Sequence, residues 1–211
     1  MRQRLIEAGC PAAKIRLQRL GIAVERIAFR RRTPNDQVRF LICAAFREKK
    51  GITDALCALG TALRREPFAC RVTLIGDGPL RPQIEAAIRD EGLADKVEML
   101  GMQPYSRVIE HLQRHDILLQ TSRHAADGDS EGGAPVILLD AQAAGMPVVA
   151  TDHADIPEYV RDGISGLLAP EGQVERIAAQ IASMVRQAPR WGDMGQAGRR
   201  HVEENYNAAT Q

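Results

Sequence analysis

The residues from Ser130 to Thr151, SEGGAPVILLDAQAAGMPVVAT, bring together the parts of an anion site. Gly132, Gly133 and Ala134 follow the acidic Glu131, and a run of small and apolar residues at helical spacing follows them. Such a turn leaves backbone N–H groups free at a helix N-terminus, where the macrodipole is positive, and glycines let an anion approach the main chain. Asp140 stands one helix length further on, a carboxylate in a place that otherwise favours negative ligands only. Phosphates would take the N–H groups and hydroxyls the carboxylates, so the segment suits a ligand carrying both.

Other spacings are less specific. Asp127, Asp129, Glu131 and Gly132 mimic the start of a calcium loop, but its twelfth position is Leu138 where a bidentate glutamate is required. The five histidines show no metal-ligand spacing, and His124 reads as a ligand contact or as a solvent-facing loop residue. Cys10, Cys43, Cys57 and Cys70 form no CxxC pair and read as reduced thiols of a cytoplasmic protein.

A chain of 211 residues, 45% hydrophobic and 26% charged, fits one domain with a core or a domain with an appendage. Its formal charge of +1 gives no global field for nucleic acid or an anionic membrane. Arg30-Arg31-Arg32 is the local exception, read as a solvated linker with a phosphate, partner or membrane contact as the alternative. No signal core opens the chain, and no apolar run reaches the roughly 18 residues of a span. Work at the inner face of a membrane remains compatible with that.

Positioning such a site requires regular elements around it. Val38 to Ala44 is a strand-like run, and hydrophobics recur at helical spacing from Ile52 to Arg65. A second strand, Arg71 to Ile75, ends in Gly76-Asp77-Gly78-Pro79, with Asp77 a candidate N-cap for a helix from Leu80 to Glu91. A strand at Lys96 to Leu100, a helix at Tyr105 to Arg114 and a strand at Asp116 to Gln120 follow. The small-residue helix runs from Pro135 to Ala144, with proline in its first turn. Strands at Pro147 to Ala150 and Gly166 to Ala169, then helices at Val174 to Gln187 and Trp191 to Asn205, complete the chain. Glu158 reads as structural or as an acid supporting the site from behind, and Asp162-Gly163 as a turn before the last strand.

This alternation implies an α/β fold, a Rossmann-like parallel sheet flanked by helices, with ligands outside the carboxyl ends of the strands. Residues 1–35 read as a leading helix, a short strand ending in Leu20-Gly21-Ile22 and a linker. Residues 36–170 read as the sheet domain and 171–211 as C-terminal helices packing on it. The turns to search are Phe46 to Gly51, Gly76 to Pro79, Gly101 to Pro104 and Ser122 to Ala134.

In order along the chain, FREKKG (46–51), IGDGPL (75–80), LG (100–101), EGGAPVILLDAQAAGMPVVAT (131–151), IPE (156–158) and DGISGLL (162–168) form one pattern. It resembles the nucleotide-sugar-binding C-terminal half of retaining GT-B glycosyltransferases of family 4, the glycosyl transferases group 1, including the colanic-acid and exopolysaccharide type. The likeness runs from about Leu20 to Asn205. It implies a donor sugar linked to UDP or GDP as substrate, no further cofactor and no metal. It also implies a saccharide or lipid-linked acceptor held by an N-terminal domain, which is expected to be absent here. Donor binding is then expected to outlast turnover.

The resemblance also assigns residues. Lys50 would face the donor phosphates and, with Glu131, form the catalytic pair, Glu131 facing the donor sugar. Asp140 would accept hydrogen bonds from ribose hydroxyls, Gly132, Gly133 and Ala134 would offer N–H groups, and Gly101 and Met102 would meet the nucleobase. The family's arginine position falls on Ala45, with Arg47 two residues away as a substitute donor contact. Eight residues separate Glu131 from Asp140 where the family pattern has seven. Two other readings share the fold, a nucleotide-sugar epimerase and a non-catalytic nucleotide-sugar-binding module, the latter favoured by Ala45 and by the longer spacing.

Overall fold

Six short strands with few charges between amphipathic helices can bury both of their faces only inside a helix sandwich, and the chain adopts that arrangement. The structure is a computed structural model that describes residues 2–16 and 18–210. Strands β1 (Val38–Cys43), β2 (Cys70–Ile75), β3 (Val97–Gly101), β4 (Ile117–Gln120), β5 (Val148–Asp152) and β6 (Gly166–Pro170) form one parallel sheet. Their spatial order is β3-β2-β1-β4-β5-β6. The helices are α1 (Arg2–Glu7), α2 (Ile52–Arg65), α3 (Arg81–Asp90), α4 (Tyr105–Arg114), α5 (Ile137–Ala143), α6 (Ile156–Tyr159), α7 (Val174–Arg186) and α8 (Trp191–Asn205).

The period of two along each strand divides the core. Val38, Phe40 and Ile42 of β1 and Ile117 and Leu119 of β4 pack with α2, α3 and α7, and Trp191 closes that layer. Leu41 and Leu118 point the other way, into a layer with Val108 and Leu112 of α4, the apolar side of α5 and Val202 of α8. Among the described residues no helix is long and apolar enough to cross a membrane.

Three local expectations need correction. The helix expected from Pro135 begins at Ile137, because the Pro135 carbonyl is already used by the Leu138 N–H in the turn before it. The short strand ending at Ile22 does not form, and Ile22 makes a single bridge to Asn207. Asp77 does not cap α3; its carboxylate accepts the Gly78 N–H and pairs with Arg81 at 2.9 Å, while Leu80 precedes the helix without a side-chain cap.

The arginine run is not a solvated linker. In this extended stretch the side chains alternate, so Arg31 reaches out to Asp193 while Arg30 and Arg32 turn inward. Arg32 is 1% exposed. Its guanidinium donates to the carbonyls of His115, Arg30, Leu112 and Ala144, which gathers the C-terminal ends of α4 and α5 onto one cation. Desolvation lowers its pKa to about 10, so it stays charged at neutral pH. Ile22, Val24 and Ile27 ahead of it are buried in the second layer.

Removing this cation leaves several carbonyls without a donor. Arg32→Met should lower the free energy of unfolding by about 3 kcal/mol in urea titrations. Arg32→Lys should recover only part of it, since one ammonium lacks the fork that spans four carbonyls. A loss below about 0.5 kcal/mol would return Arg32 to the class of ordinary surface residues.

Candidate functional site

The sheet order reverses between β1 and β4, so the turns leaving these two strands open the crevice in which ligands of such sheets sit. Both turns are tied together by main chain. Thr121, next after β4, donates its hydroxyl to the Gly51 carbonyl at 2.7 Å, and the Arg123 N–H bonds the Lys49 carbonyl at 2.9 Å. Glu48 accepts from Arg123 at 2.9 Å and from the Ala126 N–H at 3.0 Å. Gly51 has φ of 59°, and a Cβ there would lie 1.9 Å from the Thr121 carbonyl oxygen, so only glycine fits.

This junction delivers Lys50 to Glu131. The ammonium lies 2.8 Å and 2.6 Å from the two carboxylate oxygens, with side-chain exposures of 18% and 6%. Ser122 donates to Glu131 Oε1 at 2.6 Å and is itself bonded by Gln120. Lys49 holds the Asp129 carboxylate and the Ser130 carbonyl, both at 3.1 Å. Asp129 and Glu131 are thus divided between two lysines, while Asp127 accepts the Asp129 N–H, so the acidic side chains do not converge as a calcium loop would require. Gly132 at φ of 69° turns the chain away from Glu131, and among the described residues the N–H groups of Gly132, Gly133 and Ala134 have no hydrogen-bond partner. The longer interval to Asp140 does not keep Glu131 from Lys50.

Asp140 sits apart from that pair, 3% exposed on α5, where the Tyr105 hydroxyl donates to it at 3.0 Å. Burial pushes its carboxyl up from 3.8 to about 6, against the opposing hydrogen bond from Tyr105. Burial and the nearby Asp140 charge together push the Cys43 thiol up to about 11. Gly101, at φ of 67°, ends β3 with its carbonyl bonded by Gly76, and Met102 beside it is 71% exposed. Ala45 is exposed at the end of β1, and Arg47 is exposed too, within electrostatic reach of Asp129. Arg47 is not among the groups bonded to Glu131.

Five polar residues of this region were not singled out as site residues from the sequence. Thr121 and Ser122 follow β4, and Tyr105 opens α4. His153 follows β5, and Glu171 follows β6, hydrogen-bonded to both His153 and His124. Searching the carboxyl end of every strand, β5 and β6 included, would have found His153 and Glu171.

Residues 24–201 match the model of the family described as Glycosyl transferases group 1. The chain belongs to this family. It is 38% identical over 205 residues to the amylovoran biosynthesis glycosyltransferase AmsK of Erwinia amylovora, covering 97% of this chain and 50% of that protein. A protein of Escherichia coli provisionally named colanic acid biosynthesis glycosyltransferase WcaL is 36% identical over 181 residues, 85% of this chain and 44% of its own length. The chain therefore spans about half the length of these curated relatives. The fold matches HepE of Anabaena, solved with UDP and glucose, at a TM-score of 0.79 and 18% identity over 99% of this chain and 57% of that one. It also matches the C-terminal domain of LpcC from Francisella tularensis, a glycosyl transferase group 1 protein, at 0.73 and 18% identity over 89% of this chain and 100% of that one. The six-stranded parallel sheet is the Rossmann-like sheet of GT-B glycosyltransferases.

The raised carboxyl of Asp140 has a measurable consequence. A carboxyl whose pKa is higher in the fold than in the unfolded chain favours folding while it holds its proton. Its contribution is complete below the ordinary value of 3.8 and is lost as pH rises through about 6. Asp140→Asn cannot ionise yet keeps an acceptor for Tyr105. Relative to the parent, this variant should gain on the order of 3 kcal/mol between about pH 4 and pH 7.5 in paired urea titrations. A difference that does not change with pH would show that Asp140 titrates as an exposed group.

Proposed function

We propose that this chain is the donor-binding half of a retaining glycosyltransferase, which moves a sugar from a UDP- or GDP-linked donor to a saccharide or lipid-linked hydroxyl. The observation that carries the reading is the Lys50–Glu131 pair at the strand-order reversal, beside three free N–H groups. As the sugar leaves, negative charge grows on the diphosphate, and a fixed cation stabilises that charge more than the ground state. Lys50 supplies this cation without a metal ion. The N–H groups of Gly132, Gly133 and Ala134 would receive phosphate or sugar oxygens, and Gly101 and Met102 would meet the base. Arg47, exposed beside the same loop, would add a second positive charge at the donor.

Asp140 would accept the ribose hydroxyls, and the Tyr105 hydroxyl occupies the place of one of them in the free chain. Glu131 has both oxygens bonded to Lys50, and Ser122 bonds Oε1 as well. A carboxylate so engaged is a weak nucleophile. This favours transfer on one face, with the departing diphosphate taking the acceptor proton and the anomeric configuration retained. The acceptor would come from a second domain of the whole enzyme, at the inner face of a membrane where the acceptor is lipid-linked.

A non-catalytic binding module is the second reading, favoured by the exposed Ala45 where the family carries arginine. Titration calorimetry with UDP and GDP tests what both share. One of them should bind, and Lys50→Ala should weaken it at least about tenfold, the loss of one charge-assisted contact. No binding of either nucleotide, with no effect of Lys50→Ala, would overturn the donor-binding reading.

A further inference from the structure

One polar cluster has no part in the reading above. His153 closes the turn after β5 and is 2% exposed. Its Nδ1 is hydrogen-bonded to one oxygen of Glu171, and His124 Nδ1 lies 2.7 Å from the other. The two rings meet edge to face with centroids 4.8 Å apart. One ligand atom from each of the three residues lies within 4.8 Å of the others, a set that could hold a metal ion. The remaining ring nitrogen decides between the two uses. His153 Nε2 faces the backbone N–H of Glu131 at 3.4 Å, and an amide N–H can only donate. Nε2 must therefore carry the lone pair, which puts the ring proton on Nδ1, aimed at the carboxylate. In that tautomer Nδ1 has no lone pair for a metal.

We infer that Glu171 and His153 form a positioning relay that fixes the main chain of Glu131 and so holds its carboxylate against Lys50. Glu171 sets the tautomer, the ring accepts from Glu131, and His124 occupies the second carboxylate oxygen. Burial pushes the Glu171 carboxyl up, but the hydrogen bonds from His124 and His153 outweigh it and hold it below its ordinary value. The turn that delivers the ring is strained. Ala154, next to His153, has φ of 50°, and it is the one non-glycine residue with positive φ among the described residues. A left-handed alanine is a strained conformation that the surrounding contacts must offset.

The relay itself is tested without any ligand. Long-range proton–nitrogen correlation spectra should show the His153 proton on Nδ1. Amide exchange over residues 128–134 should speed up at least about tenfold in His153→Ala, with β5 unchanged. Glu171→Ala should act alike, and the double variant should be no worse than either single one. His153→Gln, whose amide oxygen can take the place of Nε2, should restore slow exchange.

A second readout rests on the donor-binding reading. His153→Ala should weaken a UDP-sugar at least about fivefold and leave UDP within about twofold, because Glu131 faces the sugar. A proton on Nε2, unchanged exchange in His153→Ala, or stoichiometric zinc binding abolished by His124→Ala would overturn the relay. Equal weakening of UDP and UDP-sugar would overturn its effect on the sugar. A chain that shows the relay signatures but binds no nucleotide would sink the donor-binding reading alone.

Discussion

The close approach of Gly51 to the Thr121 carbonyl sets the geometry of everything at the carboxyl edge of the sheet. β1 and β4 are adjacent strands, but their outgoing turns would diverge if each only followed its own crossover to a helix. At Gly51 the absent side chain lets the two main chains touch, and Thr121 and Arg123 bond across the gap. Lys50 and Ser122 lie next to that contact, so the ammonium and the hydroxyl that converge on Glu131 are fixed by backbone. The long flexible stem of Lys50 matters less for that reason. A cation positioned in this way has little to reorganise when charge develops beside it.

The opposite edge of the same helices is held by buried charge. Arg32 gathers the carbonyl ends of α4 and α5, and Asp116, fully buried, accepts from the Arg39 guanidinium at 2.8 Å and 3.0 Å and from its N–H at 2.9 Å. Burial pushes the Asp116 carboxyl up, yet the Arg39 hydrogen bonds hold it below its ordinary value. Replacing a whole such set by apolar groups changes stability little, but removing one member leaves its partners unpaired at high cost. Asp116 thus ties the start of β4 to β1, and Arg32 fixes the C-terminal ends of α4 and α5. Those two helices carry Tyr105 and Asp140, so a constraint far from the crevice aligns a pair inside it.

The sequence was most legible where one physical signal dominates. α2, α4 and α8 lie where the hydrophobic spacing places them, because α2 and α4 each have an apolar face against the sheet and α8 has one against α5. The strands agree to within a residue or two for the same reason. What escaped depended on distant partners. Nothing near Arg32 in sequence reveals that the carbonyls of Leu112, His115 and Ala144 will surround it. α6 has four residues, too few for any period. Glu131 and Lys50 were legible as residue types at turns and Asp140 as a carboxylate within a helix, while Tyr105, Ser122, His153 and Glu171 acquire meaning only once the sheet brings their segments side by side.

The two carboxylates that opened the reading are set in contrasting surroundings, and the contrast divides the work between them. Glu131 lies against a lysine and a serine hydroxyl, which satisfy an ionised carboxylate. Asp140 lies in a site that burial makes hostile to charge, with the Tyr105 phenol as its side-chain partner among the described residues. A ligand hydroxyl delivered to Asp140 would add a donor where the ionised form has too few, so binding would draw the carboxylate toward ionisation. A phosphate delivered near Lys50 would instead compete with Glu131 for the ammonium. Under the proposed function, one end of the crevice would gain charge stabilisation on binding and the other would redistribute it, a polarity suited to a ligand with hydroxyls at one end and a diphosphate at the other.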